Sequence, residues 1–274
     1  MKRHSVYKND GSIPVEEILC TTYQMRNFYT QMRDGFFSNL DVMNYIQHLV
    51  AVRMMKPNQT ILDVCCGRSL LLPLMRYNAK TIKKYIGVDI EPKNIVADKK
   101  NICNGKDIDP KEHYPFETEW VISNVSEMSN HIKEKIDFCV YTSAIEHMHK
   151  EDGKKSILEC SKIMKKGSTL FLSCPNTPEN QDGFNVRYKA HVYEWKLSEL
   201  RIELHNAGFT IINEYGLVGK TRTIKKKLTK LPESLQKIIT TYFDYLPREF
   251  LTAFAYLPFP KLADEVLLIA KKRI

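Results

Sequence analysis

Two carboxylates follow short apolar stretches and have the right chemistry to hold a polar ligand. Asp63 lies within ILDVCCGRS, and Asp89 ends the stretch YIGVD. A carboxylate accepts two hydrogen bonds at once, so it suits the two neighbouring hydroxyls of a ribose. Gly67, between them, permits a close backbone approach or a positive φ angle. The pattern is typical of a strand, a tight turn and a helix that bind a nucleoside-containing ligand.

The elements that must position these carboxylates are short apolar strands separated by helical stretches. This alternation predicts an α/β, Rossmann-like fold with a mostly parallel seven-stranded sheet and helices on both faces. Ligands of such folds bind at the carboxyl ends of the strands. The predicted strands are Thr60–Cys65, Tyr85–Asp89, Glu119–Ser123, Ile136–Thr142, Thr169–Ser173, Thr210–Leu217 and Glu265–Lys271.

The chain divides into four predicted parts. Residues 1–55 form N-terminal helices that can act as a lid, 56–219 form the core, 220–263 are a helical insertion, and 264–274 add the last core strand. Prolines in the insertion predict that it contains two short helices. If the sixth strand is parallel to the others, the insertion caps the ligand-binding edge of the sheet.

Composition and charge bear on the possible binding partners of the protein and on its compartment. The formal net charge is +9, and part of the excess lies in KTRTIKKKLTK, residues 220–230. A basic surface attracts nucleic acid, an anionic membrane or an acidic substrate, or it is simply solvated. The seven cysteines are an odd number without zinc-like pairing, which indicates reduced thiols. With no transmembrane segment and no signal-peptide pattern, these features predict a cytoplasmic protein.

The segment ILDVCCGRS, followed by YIGVDIEP, resembles the cofactor-binding segment of class I S-adenosylmethionine-dependent methyltransferases. Their first motif reads approximately Asp-x-Gly-x-Gly-x-Gly; Asp63 and Gly67 match it, whereas Cys65 and Ser69 stand where glycines are usual. The resemblance runs from about residue 60 to 209 and includes the last strand. A dinucleotide needs several glycines around its phosphates. Adenosylmethionine has no phosphate, so the loop favours it over NAD.

Two later loops fit the same resemblance. Asn124 follows the third strand, where the family often has an acid that receives the adenine amino group, and Tyr141–Ser143 ends the fourth strand, where family members line the methionine portion. The resemblance therefore implies S-adenosyl-L-methionine as cofactor. The predicted cofactor-binding residues are Asp63, Cys65, Cys66, Gly67, Ser69, Asp89, Ile90, Asn124, Val125, Thr142 and Ser143.

Methyl transfer from a sulfonium requires an aligned nucleophile and the removal of one proton. The segment SAIEHMHKED resembles the part of ubiquinone-type O-methyltransferases that ends in Glu-His, here Glu146 and His147. His191 opens the later segment HVYEW. We interpret His147 and His191 as candidate bases, with Glu146 beside them. The alternative is that this Glu-His pair only packs against the neighbouring loop.

A partial resemblance to the small-RNA 3′-end 2′-O-methyltransferases adds another interpretation. That family carries Glu-x-x-Glu-His and a later His-x-Phe-Glu-Trp, and it holds a divalent metal with two glutamates and two histidines. Glu146, His147 and His191 match three ligands, whereas Ser143 stands in place of the first glutamate. The loss of a carboxylate weakens such a site, because hard divalent cations prefer oxygen ligands.

Three functions remain open at this point. The first is methyl transfer to an oxygen or nitrogen of a small-molecule acceptor, a metabolite or natural product, with Tyr23, Tyr29 and Asn176 as candidate substrate contacts. The second is 2′-O-methylation of RNA or another nucleic acid with a divalent metal, which the basic insertion favours. The third is a cofactor-binding subunit that has lost activity.

Overall fold

A seven-stranded sheet carries the fold, and its strands alternate with helices along the chain. The computed structural model describes residues 38–67, 69, 71–79, 81–95, 114–220, 226 and 229–273. The strands are β1 (Thr60–Val64), β2 (Lys84–Asp89), β3 (Glu117–Ile122), β4 (Ile136–Thr142), β5 (Met164–Pro175), β6 (Phe209–Val218) and β7 (Glu265–Lys272). The helices are α1 (Asn39–Met54), α2 (Leu71–Asn78), α3 (Lys150–Ile163), α4 (Leu197–Asn206), α5 (Glu233–Tyr245) and α6 (Arg248–Phe254).

The strand order is β3-β2-β1-β4-β5-β7-β6, and only the pairings of β7 with its two neighbours are antiparallel. The predicted mostly parallel α/β sheet is therefore confirmed. The order reverses between β1 and β4, which is where ligands bind in open α/β sheets. The loops that follow these two strands contain Gly67 and Glu146 respectively.

Helices cover both faces of the sheet. Neighbouring residues of a strand point to opposite faces, so a strand that is apolar throughout presents apolar side chains to the helices on each side. In β4, Phe138 and Val140 pack with α1 and α2, whereas Cys139 and Tyr141 pack with α3 and α4. The strand is thus buried on both faces, as a central parallel strand must be. The site loops stand on this rigid double-sided core.

Helix α1 begins at Asn39 with a well-defined N-terminal cap. Its cap is Ser38, whose Oγ accepts a hydrogen bond from the Asp41 backbone N at 3.2 Å, while Asp41 Oδ2 accepts from the Ser38 backbone N at 3.0 Å. This reciprocal capping box satisfies two amide groups that the first turn leaves unpaired. Tyr23 and Tyr29, the two predicted substrate contacts of the N-terminal segment, lie outside the described residues.

The insertion follows the carboxyl end of β6, on the side of the sheet where the site lies. Strand β6 is parallel to β5, because both pair antiparallel with β7, so its carboxyl end lies at the same edge as that of β5. The two short helices predicted for the insertion are confirmed as α5 and α6, which begin after Pro232 and Pro247. None of the helices in the described part of the chain has the length and apolar content that crossing a bilayer requires.

Candidate functional site

The loop after β1 keeps the backbone shape of a glycine-rich turn with only one glycine. Cys65, Gly67 and Ser69 adopt φ angles of 54°, 53° and 48°, all in the left-handed region. Glycine enters this region freely, whereas other residues pay about 1–2 kcal/mol there. The sequence left open how closely the backbone can approach a ligand at Cys65 and Ser69. The structure shows that both positions keep the left-handed conformation.

Side chains from two neighbouring strands support Ser69. The Tyr85 hydroxyl lies 2.9 Å from Ser69 Oγ and 2.9 Å from Asp63 Oδ2, and Trp120 Nε1 donates to Ser69 Oγ at 3.2 Å. Burial raises the pKa of Asp63 to about 7; the hydrogen bond from Tyr85 opposes this shift and the charge of Asp89 adds to it. The Asp63 carboxyl is therefore engaged inside the core, where it positions the loop.

Asp89 ties the end of β2 to this loop. Its Oδ2 accepts a hydrogen bond from the Gly67 backbone N at 2.9 Å, and its Oδ1 accepts from the Glu91 backbone N at 2.8 Å and from Asn94 Nδ2 at 3.2 Å. The next residue, Ile90, is 65% exposed. An acid and an exposed apolar side chain thus lie side by side at the carboxyl end of β2. Asn94 is a member of this group that the sequence did not single out.

Asn124 has a local structural role. Its Oδ1 accepts from both the backbone N and the Oγ of Ser126, each at 3.0 Å, and so caps the short 3₁₀ helix Val125–Asn130. The predicted use of this same oxygen for an adenine amino group would compete with both bonds. Val125 is buried beneath the turn.

Helix α1 is hydrogen-bonded to the ends of β4 and β5. His48 Nε2 lies 3.2 Å from Thr142 Oγ1, and Ser173 Oγ donates to Gln47 Oε1 at 2.6 Å. Burial lowers the pKa of His48 to about 4, so the ring is neutral. Its Nδ1 lies 2.7 Å from the Asn44 carbonyl oxygen and must carry the proton, which leaves Nε2 to accept from Thr142. No local sequence pattern marks these contacts.

The turn after β4 buries the Ser143 hydroxyl and the Glu146 side chain. Ser143 is left-handed, with a φ angle of 47°, and its Oγ is buried without a hydrogen-bond partner in the structure. Glu146 is 2% exposed, and its Oε2 likewise has no hydrogen-bond partner in the structure. Burial raises the pKa of Glu146 to about 7, against the lowering effect of nearby His191. A buried polar atom without a partner is costly and calls for an explanation, such as a catalytic role, a water molecule or an ion.

The loop before α4 brings His191 to His147. The Glu146 carbonyl oxygen accepts from the Val192 and Tyr193 backbone N atoms at 2.7 and 3.2 Å, which fastens the loop there. The rings of His147 and His191 meet edge to face with centroids 5.1 Å apart. The three predicted catalytic residues, the adjacent Glu146 and His147 and the distant His191, therefore form one cluster.

Both imidazoles have their tautomer set by an oxygen acceptor. His147 Nδ1 lies 2.9 Å from the Ala190 carbonyl oxygen, and His191 Nδ1 lies 2.7 Å from Glu194 Oε1. Each Nδ1 donates to its oxygen, so the neutral form of each ring has its lone pair on Nε2. Desolvation lowers the pKa of His147, although the bond to Ala190 opposes this effect. Both rings can thus accept a proton or bind a cation.

Glu194 is the supporting residue that the sequence analysis missed. Burial opposes its ionisation, but hydrogen bonds from His191 and Arg187 outweigh burial and hold its pKa at about 2. Arg187 Nε donates to Glu194 Oε2 at 2.8 Å, and its Nη1 lies 3.2 Å from Asp264 Oδ1. The signal was available, because Glu194 lies three residues after His191 within HVYEW.

Glu146, His147 and His191 also have the geometry of a metal site. Each offers one ligand atom, and these atoms lie within 4.8 Å of one another. Ligand atoms around an ion with bonds of about 2.0–2.1 Å lie roughly 3–4 Å apart, so a small closure suffices. A metal-binding histidine typically uses its other ring nitrogen to donate to a carbonyl or carboxylate oxygen, as Nδ1 of each ring does here. The cluster therefore fits either a proton acceptor or a cation.

Asn176 supports the insertion. Its Nδ2 donates to the Ala263 carbonyl oxygen at 3.0 Å and to the Pro260 carbonyl oxygen at 3.3 Å, while its Oδ1 accepts from the Leu197 backbone N at 3.2 Å. The side chain is 4% exposed. The sequence predicted Asn176 as a substrate contact, yet the structure has its amide bonded to backbone on both sides.

A family model matches most of the chain that forms this site. The family model described as methyltransferase domain matches residues 40–214, more than half of the chain. No curated protein sequence is similar enough to match.

Solved structures share the fold at low identity. A SAM-dependent methyltransferase from Archaeoglobus fulgidus has a TM-score of 0.52 and 20% identity, covering 89% of this chain and 99% of that one. An S-adenosylmethionine-dependent methyltransferase from Clostridium acetobutylicum has a TM-score of 0.53 and 11% identity, covering 93% and 100%. A TehB-like SAM-dependent methyltransferase from Corynebacterium glutamicum has a TM-score of 0.54 and 12% identity, covering 92% and 97%. The chain therefore belongs to the methyltransferase-domain family, and it has the fold of these S-adenosylmethionine-dependent methyltransferases.

Proposed function

We propose that the enzyme methylates an oxygen or nitrogen of a small-molecule acceptor, with His191 or His147 as the base. The observation that carries the proposal is the pair of imidazoles whose Nδ1 atoms each lie against an oxygen acceptor, which leaves Nε2 as the atom that can take a proton. His147 follows the strand-end residues Thr142 and Ser143, which in this proposal line the methionine portion of the cofactor, and His191 packs against His147.

The loop after β1 fits the cofactor. Bound adenosylmethionine supplies a methyl group on a positively charged sulfur. A Cβ added at Gly67 would meet no atom within 4 Å, so there is room beside the backbone. Asp89 accepts a backbone bond from Gly67, and we assign its carboxylate to the ribose hydroxyls. The exposed side chain of Ile90 supplies an apolar surface for the adenine.

Residues of the chain then remove one proton from the methyl acceptor. The acceptor O–H or N–H donates to an imidazole Nε2, which takes the proton as the acceptor atom forms its new bond to the methyl carbon. The bond from carbon to sulfur breaks, and its electron pair remains on the sulfur. His191 is the better-supported base, because ionised Glu194 stabilises the imidazolium that forms. A base in this position contributes about 10²–10⁴ in rate.

The acceptor site is formed by the elements at this edge of the sheet. Helix α1 is held there through His48 and Gln47, and α6 packs against α1. Tyr188, 49% exposed, lies against the His191 ring with centroids 5.1 Å apart. We propose that α1 and the insertion close over a small acceptor.

Replacement of each histidine tests the assignment. His191→Ala and His147→Ala are compared with His131→Ala, which changes an exposed histidine outside the cluster. The rate of adenosylhomocysteine formation with a panel of hydroxylated and amino acceptors should fall about 10²–10⁴-fold for the base and remain unchanged for His131→Ala. Cofactor affinity is measured separately. Full activity of both cluster variants would remove the catalytic assignment.

The second candidate is a nucleic-acid 2′-O-methyltransferase with a divalent metal. The observation that favours it is the group Glu146, His147 and His191, with buried Glu146 Oε2 lacking a partner in the structure. A bound cation would hold the ribose hydroxyls and promote loss of the acceptor proton. Calorimetry with Mn²⁺ or Co²⁺ tests the site: Glu146→Gln should abolish binding that His131→Ala retains. Activity that persists in chelator would exclude this candidate.

We also propose a cytoplasmic location. Cys139 and Cys160 are free thiols whose Sγ atoms lie 3.9 Å apart in the core. A close pair that remains unbonded suits a reducing compartment.

A further inference from the structure

The insertion presents an apolar helix face to solvent. Seven of the fifteen large apolar side chains that are exposed among the described residues lie between 231 and 262. Four of them recur on α5 at spacings of three and four residues, so they share one side of the helix. They are Leu235, Ile238, Tyr242 and Tyr245, with exposed fractions of 46, 55, 61 and 85%.

The opposite side of α5 is polar. By helical periodicity, Glu233 and Asp244 lie across the axis from Leu235, so the acidic groups point away from the apolar face. Phe243, at the border of that face, packs towards Tyr256 and Ala263. The helix is thereby attached to the protein by one edge while its apolar face stays outward.

A strongly basic segment directly precedes this helix in the sequence. Residues 220–230 carry six lysine or arginine side chains and no acid. At one end of the segment, the Tyr256 hydroxyl donates to the Lys220 carbonyl oxygen at 2.6 Å. At the other end, Gln236 Nε2 of α5 donates to the Leu231 carbonyl oxygen at 2.7 Å. Residues of the insertion therefore bind the backbone at Lys220 and Leu231, and residues 221–225, 227 and 228 lie outside the described part of the chain.

We propose that this part of the insertion docks on an anionic membrane surface. An amphipathic helix with a large apolar face lies in the plane of a bilayer interface, where its aromatic residues suit the headgroup level. A cluster of four to eight cations beside it adds attraction to anionic lipid. A nucleic acid would engage the cations and leave Leu235, Ile238 and Tyr242 in water. The combination of charge and apolar surface thus favours a membrane.

Vesicle flotation with the full chain tests the proposal. The probes are vesicles of phosphatidylcholine alone and vesicles with about a third phosphatidylglycerol. Ile238→Glu changes the apolar face, and Thr240→Glu makes the same charge change at an exposed polar position of α5. We expect about tenfold or greater preference for the anionic vesicles, loss of most binding in Ile238→Glu and retention in Thr240→Glu. Raised salt should weaken the binding.

Other occupants of the face give different results. Equal affinity of Ile238→Glu and wild type for the vesicles, or no binding to either vesicle, overturns the proposal. Binding of a short RNA without vesicle binding assigns the basic segment to nucleic acid instead. A wild-type dimer that Ile238→Glu dissociates assigns the face to a second copy. Adenosylmethionine affinity, measured on the same samples, reports folding and tests the cofactor site separately.

Discussion

His191 donates its Nδ1 proton to Glu194 Oε1 at 2.7 Å, and Glu194 is buried, ionised and held from its other side by Arg187. This relationship fixes the orientation of the ring and the proton on Nδ1 of a loop histidine that we propose as the base. It also explains why a carboxylate persists in the interior, since two charge-assisted hydrogen bonds offset its desolvation.

Replacement of Glu194 by Gln should slow methyl transfer about 10- to 100-fold, because the neutral amide no longer stabilises a charged imidazole. The change should appear in kcat, with the KM for adenosylmethionine unchanged. Arg187 keeps Asp264 as an acidic partner in this variant.

A double variant separates positioning from general damage to the fold. If Glu194 acts through His191, then Glu194→Gln with His191→Ala should be no slower than His191→Ala alone. Additive losses would show that Glu194 acts independently of His191.

The left-handed backbone at Cys65 predicts an asymmetric response to substitution. Cys65→Gly should change the free energy of unfolding by less than about 1 kcal/mol, because glycine adopts this conformation freely. Cys65→Val should lose about 1–3 kcal/mol, since a branched Cβ fits the region poorly. Urea unfolding of the two variants measures both values, and equal stability would contradict the strained turn.

Tyr85→Phe tests the hydroxyl that joins Asp63 to Ser69. Loss of this group leaves the buried Asp63 carboxyl without its donor and should cost about 1–3 kcal/mol of stability. Affinity for adenosylmethionine should fall as well, because Ser69 loses a support of its left-handed turn. Tyr242→Phe, which removes a hydroxyl from exposed α5, is the matched control and should match wild type in both measurements.

The buried carboxyl of Glu146 predicts a stability change with pH. Its pKa of about 7 in the folded state lies above the ordinary value of 4.5, so the folded protein binds the proton more tightly. This contribution to stability is fully present below about pH 4 and is lost as the pH rises through about 7. Glu146→Gln should therefore gain stability relative to wild type between pH 5.5 and pH 8, by roughly 1 kcal/mol or more. Urea unfolding of both proteins at each pH gives the difference between their unfolding free energies, in which the contributions of the other titrating groups cancel. A difference that does not change with pH would contradict the assignment.

The sequence predicted the sheet because its strands are apolar runs bounded by turns. All seven appear in the structure, and Ile136–Thr142 has the predicted bounds. Strand β5 begins five residues earlier than predicted, at Met164. The apolar pattern of its first part is interrupted by the exposed residues Lys165, Lys166 and Gly167. Local composition cannot reveal a strand whose edge residues are solvated.

The site was predicted in part. Glu146, His147 and His191 meet as expected because β4 and the loop after β5 open at the same edge of the sheet. The contacts from Tyr85 to Ser69 and from Gln47 to Ser173 were missed, since they join residues 16 and 126 positions apart. Asn124 and Asn176 were assigned to ligands by position. The cap that Asn124 forms with Ser126 is local and could have been predicted, whereas the bonds of Asn176 follow only from the three-dimensional packing.

Calorimetric titration with adenosylmethionine tests the central claim most directly, because every later step needs the loop after β1 and Asp89 to hold the cofactor. Wild type should bind one equivalent, and Asp89→Ala should bind at least about tenfold more weakly, a loss of about 1.4 kcal/mol. Asp244→Ala, which removes an exposed acid on α5, should bind like wild type. Absence of binding at millimolar cofactor, or an Asp89→Ala variant that binds as tightly as wild type, would contradict the account.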